Sequence, residues 1–246
     1  MEPPPFSSRT YDPRDLSSPA LARWLRALRA FGVRLGLRGT PFAVNGVLRR
    51  RVYARRHKMW EYAVSAACLY ARGQRPLRIF DFGGAATLPI YFFASRGCEV
   101  VCLDIDEALC EATRRAAARH RWNLRASSLN LLESAPPPEL AGPYDAVISA
   151  SVLEHLPKPG QAVAVERLAA LLRPGGVFVL TFDFGPDAPQ PGAVRSAAEV
   201  ERLAAASGLD WIGGQPFRDT GARFVLDRRY PSRKFTFGAA LLERKG

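Results

Sequence analysis

The stretch Ile79-Phe80-Asp81-Phe82-Gly83-Gly84-Ala85-Ala86-Thr87 decides how the chain is read, because an apolar run of strand length passes straight into small residues before Pro89 opens a helix. Small side chains at the carboxyl end of a first strand let a ligand lie against the backbone, where open α/β sheets bind ligands. Seventeen residues after Thr87, Asp104 closes a second apolar run, Val100-Val101-Cys102-Leu103. An acid at that place accepts both ribose hydroxyls of a nucleoside. Tight packing alone also explains a glycine pair after a strand; the acid at the next strand end is what favours a ligand.

Outward from this stretch, strands and helices alternate, the pattern of βαβ units around a parallel sheet. Strands are expected at Arg78 to Phe82, Glu99 to Asp104, Leu124 to Ser127, Ala146 to Ala150, Val177 to Phe182, Asp210 to Gly213 and Phe235 to Glu243. Helices are expected at His57 to Ala71, Pro89 to Arg96, Glu107 to His120, Gln161 to Leu172 and Ser196 to Ser207. Arg173-Pro174-Gly175-Gly176 reads as the turn before the fifth strand, since proline cannot continue a helix and glycine supplies the positive φ of its cap.

The chain divides into a basic N-terminal extension, residues 1–56, and an α/β domain, residues 57–246. Thirteen basic side chains against Glu2, Asp12 and Asp15 fall within residues 1–58, so most of the net charge of +12 sits there. Residues 1–18 are rich in Pro, Ser and charge and are expected to be disordered or loosely draped. From Pro19 to Gly32, Leu21, Trp24, Leu25, Leu28 and Phe31 recur at helical spacing between Arg23, Arg26 and Arg29. A second basic segment follows at Val47 to Arg56. The arginines form a solvated face, or they meet an anionic membrane surface or nucleic acid; no RNA-binding signature accompanies them.

No apolar run approaches the roughly 20 residues that span a bilayer, and Met1 to Pro5 lack the order of a signal peptide. Cys68, Cys98, Cys102 and Cys110 show no CxxC spacing and no neighbouring histidines, so reduced thiols and no metal are expected. A cytoplasmic location follows as the expectation.

Several pieces in order resemble the class I S-adenosylmethionine-dependent methyltransferases. Their first motif runs apolar strand, acid, any residue, then three glycines alternating with other residues. Here it reads Asp81-Phe82-Gly83-Gly84-Ala85-Ala86-Thr87, with Ala85 and Thr87 in place of the second and third glycines. Asp104 in Cys102-Leu103-Asp104-Ile105-Asp106, Tyr144-Asp145-Ala146-Val147-Ile148, Val152-Leu153-Glu154-His155-Leu156 and Leu172-Arg173-Pro174-Gly175-Gly176 match in sequence. The resemblance covers roughly residues 57 to 246. It implies a Rossmann-like, mostly parallel seven-stranded sheet with one antiparallel strand and helices on both faces, preceded by the helical extension.

The resemblance also implies S-adenosylmethionine as the cofactor, its site drawn from the Asp81, Gly83, Gly84 and Ala85 turn. Gly83 and Ala85 would lie under the methionine part and Asp104 would hold the ribose. Ile105 and Leu129 would flank adenine, with Asn130 near its amino group. Ser149 and Ala150 would face the methyl donor. His155, just beyond the fourth strand, has a reference pKa near 6.5 suited to proton removal, or else it orders the loop and contacts substrate. Asp183 is a second candidate for touching substrate, Glu154 reads as a solvent-facing or loop-bonding acid, and Trp60 and Tyr62 are either a lid or core.

The implied activity is methylation at oxygen or nitrogen of a small or medium acceptor. Arg195, Arg218, Arg223, Arg228, Arg229 and Arg233 in the late loops hint that this acceptor is anionic. The rival is a noncatalytic protein that keeps this fold and engages a membrane surface or nucleic acid through its basic arm. A nucleotide-dependent oxidoreductase fits badly, because the first turn lacks Gly-x-Gly-x-x-Gly.

Overall fold

The computed structural model describes residues 6–44, 46–49, 56–71, 73, 76–134, 136–226 and 231–246. Its centre is five parallel strands: β4 (Arg78–Phe82), β5 (Glu99–Asp104), β6 (Leu124–Ser128), β7 (Tyr144–Ala150) and β8 (Leu172–Phe184). They stand in the order β8-β7-β4-β5-β6, so the chain reverses its direction of winding between β4 and β7. Ligands bind in such sheets at that switch point, outside the carboxyl ends of the strands. β10 (Thr236–Glu243) runs antiparallel beside β8, with Phe237 opposite Asp183. Its start therefore lies at the same end of the sheet as the ends of the parallel strands.

Successive residues of a strand face opposite sides, and they divide between two cores. Ile79, Val100, Ile148 and Val179 belong to one, under α1 (Pro19–Leu37), α2 (Arg56–Leu69), α3 (Leu88–Ser95) and α4 (Glu107–His120). Phe80, Val101, Val147 and Leu180 belong to the other, under α5 (Lys158–Ala170) and α6 (Ala197–Ser207). Strands buried on both faces read as unbroken apolar runs, as β5 does.

The N-terminal segment departs from the expectation of a loose, disordered leader. Residues 6–18 are packed: β1 (Arg9–Thr10) pairs with Ala239 and Gly238 of β10. The same edge carries the expected β9 (Asp210–Trp211) further along, at Leu242 and Glu243, and it is β1 that makes the sheet eight-stranded instead of seven. Phe6 and Tyr11 meet the Trp60 ring edge-on, and the Trp60 indole N–H donates to Asp15 Oδ2 at 3.0 Å. A few aromatic anchors thus overcome a composition typical of disorder. Trp60 is core, not lid.

The five apolar residues of α1 named from the sequence are all buried against the fold, so that face is not free for a membrane. Arg23, Arg26, Arg29, Arg34 and Arg38 point outward. The second basic segment opens with β3 (Val47–Arg49), which forms a hairpin with the preceding β2 (Phe42–Val44), and its residues 50–55 lie outside the described ones.

Candidate functional site

The strand ends enclose a cleft of about 690 Å³. Gly83 after β4, Asp104 of β5, Ala150 of β7, Asp183 of β8 and Phe237 of β10 reach it in that lateral arrangement. From β5 to β8 is three strand spacings, about 14 Å, room for a nucleoside and a second small molecule side by side.

The half over β4 and β5 is backbone and one carboxylate. Gly83 has φ +76, and a Cβ there would come within 2.6 Å of Val152, so glycine is required twice over. The Ala85 amide donates to Asp104 Oδ2 at 3.0 Å and the Asp106 amide to Asp104 Oδ1 at 3.0 Å. Each carboxylate oxygen keeps a lone pair for a further donor. Beside it Ile105 is 74% exposed, one of few large apolar side chains so placed, and it lines the cleft as a flat apolar flank. A nucleoside's ribose and base match this donor-accepting, apolar pairing.

Asp81 and Gly84 do not line the cleft; they lie beneath it. Asp81 is buried and packs so closely on Gly84 that a Cβ would stand 2.1 Å from its Oδ1. Burial pushes the Asp81 carboxyl up to about 7. Their part is to shape the turn. Ala86, at φ 60, is fixed on both sides, its amide donating to Thr113 Oγ1 at 2.7 Å and its carbonyl accepting from the Ala43 amide at 2.6 Å. The turn that lacks two family glycines is therefore tied to the hairpin of the N-terminal segment.

Leu129 is half-buried against the α5 side, and Asn130 spends its amide on Glu133 and the Leu132 N–H. Ser149 is fully buried within β7. None of these three lines the cleft, whereas Gly83, Ala85, Asp104, Ile105, Ala150 and His155 do.

Over β7 and β8 the cleft is crowded with charge, to which Lys58 and Glu61, unassigned from the sequence, contribute beside Glu154, His155 and Asp183. Glu61 on α2, fully buried, accepts from Ser151 and from Thr181 at 2.6 Å each, and pairs with Lys58 Nζ at 3.3 Å. Burial alone would lower the Lys58 pKa, but Glu61 and the neighbouring acids outweigh it and raise it, so the ammonium is held. Glu154 is 2% exposed, contrary to the solvent-facing expectation. Its Oε1 accepts from the Asp183 amide at 3.3 Å. Burial raises both the Glu154 and the Asp183 carboxyls; Asp183 adds to the rise at Glu154 and Glu61 to that at Asp183, while the Lys58 charge opposes both. His155 is lowered by burial and then by the Lys58 charge, leaving a neutral imidazole with a lone pair at pH 7.

The loop carrying these groups is clamped. Gln161 Nε2 donates to the Leu153 carbonyl at 2.8 Å and the Gly192 carbonyl at 2.6 Å. The late-loop arginines do not reach the cleft: Arg195 donates to carbonyls of its own loop and Arg223 pairs with Asp219. Arg228 and Arg229 lie outside the described residues. Lys58 and Glu61 had one sequence signal, a Lys and a Glu three residues apart on α2, in the stretch Lys58-Met59-Trp60-Glu61-Tyr62-Ala63 that is otherwise apolar and aromatic.

Residues 80–178 match the model of a methyltransferase-domain family. The chain has the Rossmann-like fold of the class I methyltransferases. Over 110 residues it is 32% identical to a ubiquinone biosynthesis O-methyltransferase of Marinobacter nauticus, covering 44% of this chain and 45% of that protein, so the match spans under half of the relative. Two solved structures align along most of both chains. A 1,6-didemethyltoxoflavin-N1-methyltransferase of Burkholderia thailandensis, holding its substrate and S-adenosylhomocysteine, gives a TM-score of 0.57 at 18% identity over 96% of this chain and 94% of its own. A magnesium protoporphyrin IX methyltransferase of Synechocystis with S-adenosylmethionine bound gives 0.56 at 17% identity over 94% of each. At those identities the likeness is one of fold.

Proposed function

We propose that the protein is an S-adenosylmethionine-dependent methyltransferase acting at oxygen or nitrogen of a small acceptor. The observation that carries this is the placement of the Asp104 carboxylate between the Ala85 amide and the apolar Ile105, beside a turn where Gly83 must lack a side chain. Asp104 would accept the ribose hydroxyls, Ile105 would lie along adenine, and Gly83 and Ala85 would let the methionine end rest on backbone. S-adenosylmethionine, when bound, supplies a methyl group on a positively charged sulfur. The chain's remaining work is to align a nucleophile with that methyl and to exclude water.

Ala150 and Ser151 stand between the two halves, and Ser151 adopts φ 55, locked by its bond to Glu61. His155, neutral and at the cleft, accepts the proton an acceptor loses as it attacks. A thermal-shift titration tests the cofactor assignment: S-adenosylhomocysteine raises the melting temperature and NAD does not. Equal response to both would reject it.

Two further assignments belong to the same proposal. The four free, buried cysteines support a reducing compartment such as the cytoplasm. The outward face of α1, with four arginines and Arg38 just past its end, no acid, and Val33 and Leu37 56% and 84% exposed, fits an anionic membrane surface. No helix among the described residues is long and apolar enough to cross a membrane.

A further inference from the structure

Resting on that proposal, we infer that the acceptor half of the cleft is built to hold an ammonium group, so the acceptor is an amine carried as a cation. Two carboxylates, those of Glu154 and Asp183, line it with one lysine among the described residues, Lys58, and the buried Glu61 carboxylate stands behind that lysine. Lys58 is committed to Glu61 at 3.3 Å, and both Glu61 contacts to Ser151 and Thr181 fall on its other oxygen. Glu154 and Asp183 form no ion pair among the described residues, though the Lys58 charge acts on both. Glu154 is 2% exposed, and its Oε2 is buried with no hydrogen-bond partner among the described residues. An acceptor atom in that state costs free energy until a donor reaches it.

The rest of the lining points the same way. Among the described residues no arginine lines the cleft; of the late-loop arginines that suggested an anionic acceptor, Arg195 and Arg223 are engaged elsewhere and Arg228 and Arg229 lie outside the described residues. Phe235 and Phe237 line the wall next to Asp183, and a cation already stands over one of these rings, Lys58 Nζ at 5.9 Å from the Phe237 centroid. Burial raises both free carboxyls, so the empty cleft retains a proton there that an arriving ammonium displaces. A neutral hydroxyl would satisfy one carboxylate oxygen; a primary or secondary ammonium carries the charge and the donors for the pair.

Three probes of one shape separate the possibilities: benzylamine, benzyl alcohol and benzoate, titrated by calorimetry into the full chain saturated with S-adenosylhomocysteine. Benzylamine should bind at least about tenfold tighter than benzyl alcohol, with benzoate weaker still. Glu154→Gln and Asp183→Asn should each remove most of that preference while S-adenosylhomocysteine affinity stays within about twofold of the parent. Equal binding of amine and alcohol, or tighter binding of benzoate, overturns the inference and leaves the methyltransferase proposal intact. Loss of S-adenosylhomocysteine affinity in both variants also overturns it, since the pair would then serve the cofactor's own ammonium. If the parent fails to bind S-adenosylhomocysteine, the cofactor proposal falls, and the amine preference measured without it still decides whether this pocket selects a cation.

Discussion

Around Asp81 the side chains were chosen for what lies underneath the site, not only for what faces it. The carboxyl sits in a space that Gly84 leaves open, and any Cβ at position 84 would meet it at 2.1 Å. Gly84→Ala should therefore destabilise the protein by about 1–3 kcal/mol in urea unfolding, as overpacked cores do; an unchanged midpoint would show that the carboxyl can turn away. Asp81 also sets a pH dependence. Its carboxyl is raised from 3.8 to about 7, so between those values the folded chain holds a proton the unfolded chain has released. Stability on this account falls as pH rises through that window, with a slope of up to about 1.4 kcal/mol per unit from this group. Asp81→Asn should flatten the slope between pH 4 and 7; an identical slope would assign it to Glu154 and Asp183 alone. At this scale the sequence was legible where an acid or glycine has a fixed partner in the motif, as at Gly83 and Asp104. It was not legible at Glu154, whose burial depends on Gln161 and Gly192 closing the loop from 31 residues apart, nor at Asn130, whose amide is taken by its own turn.

Elements of the α/β body follow their local signals closely, since alternation and cap residues are written within each segment. Ser196 caps α6 and Gly208, at φ 64, ends it, as the pattern predicts. Arg173 to Gly176 fall inside β8 yet turn as the pattern predicts: Gly175 takes φ +71, the pairing with β7 shifts register there, and the regular ladder resumes at Val177. The N-terminal strand was invisible for a different reason. A two-residue strand has no periodicity, and its burial comes from Trp60 and β10, some 50 and 230 residues away. If Phe6 and Tyr11 anchor the segment, Phe6→Ala and Tyr11→Ala should each cost roughly 3–5 kcal/mol, read by chemical unfolding with Trp60 fluorescence. Losses below about 0.5 kcal/mol would mean that residues 6–18 contribute no core. The same segment bonds to the cofactor-side turn through Ala43 and Ala86, so its loosening should also be felt at the site.

For the whole molecule, charge and fold are arranged as two surfaces. The cleft is lined by acids with few cations, while the outer face of α1 bears arginines without an acid. That face should bind vesicles rich in anionic lipid at low salt and release them as salt rises, with neutral vesicles inert. Binding to RNA instead, at the same salt, would reassign the partner. The parallel sheet, its switch point and the cleft follow from the order of motifs. The acceptor does not, because its walls come from α2, the loop after β7 and the start of β10, which no single stretch of sequence places together. The central claim is that Asp104 and the turn beside it hold S-adenosylmethionine. Calorimetric titration of the full chain and of Asp104→Ala with S-adenosylmethionine and S-adenosylhomocysteine tests it most directly. The account predicts micromolar binding of both by the parent and a loss of at least about a hundredfold in the variant; no binding by the parent, or equal binding by the variant, would contradict it.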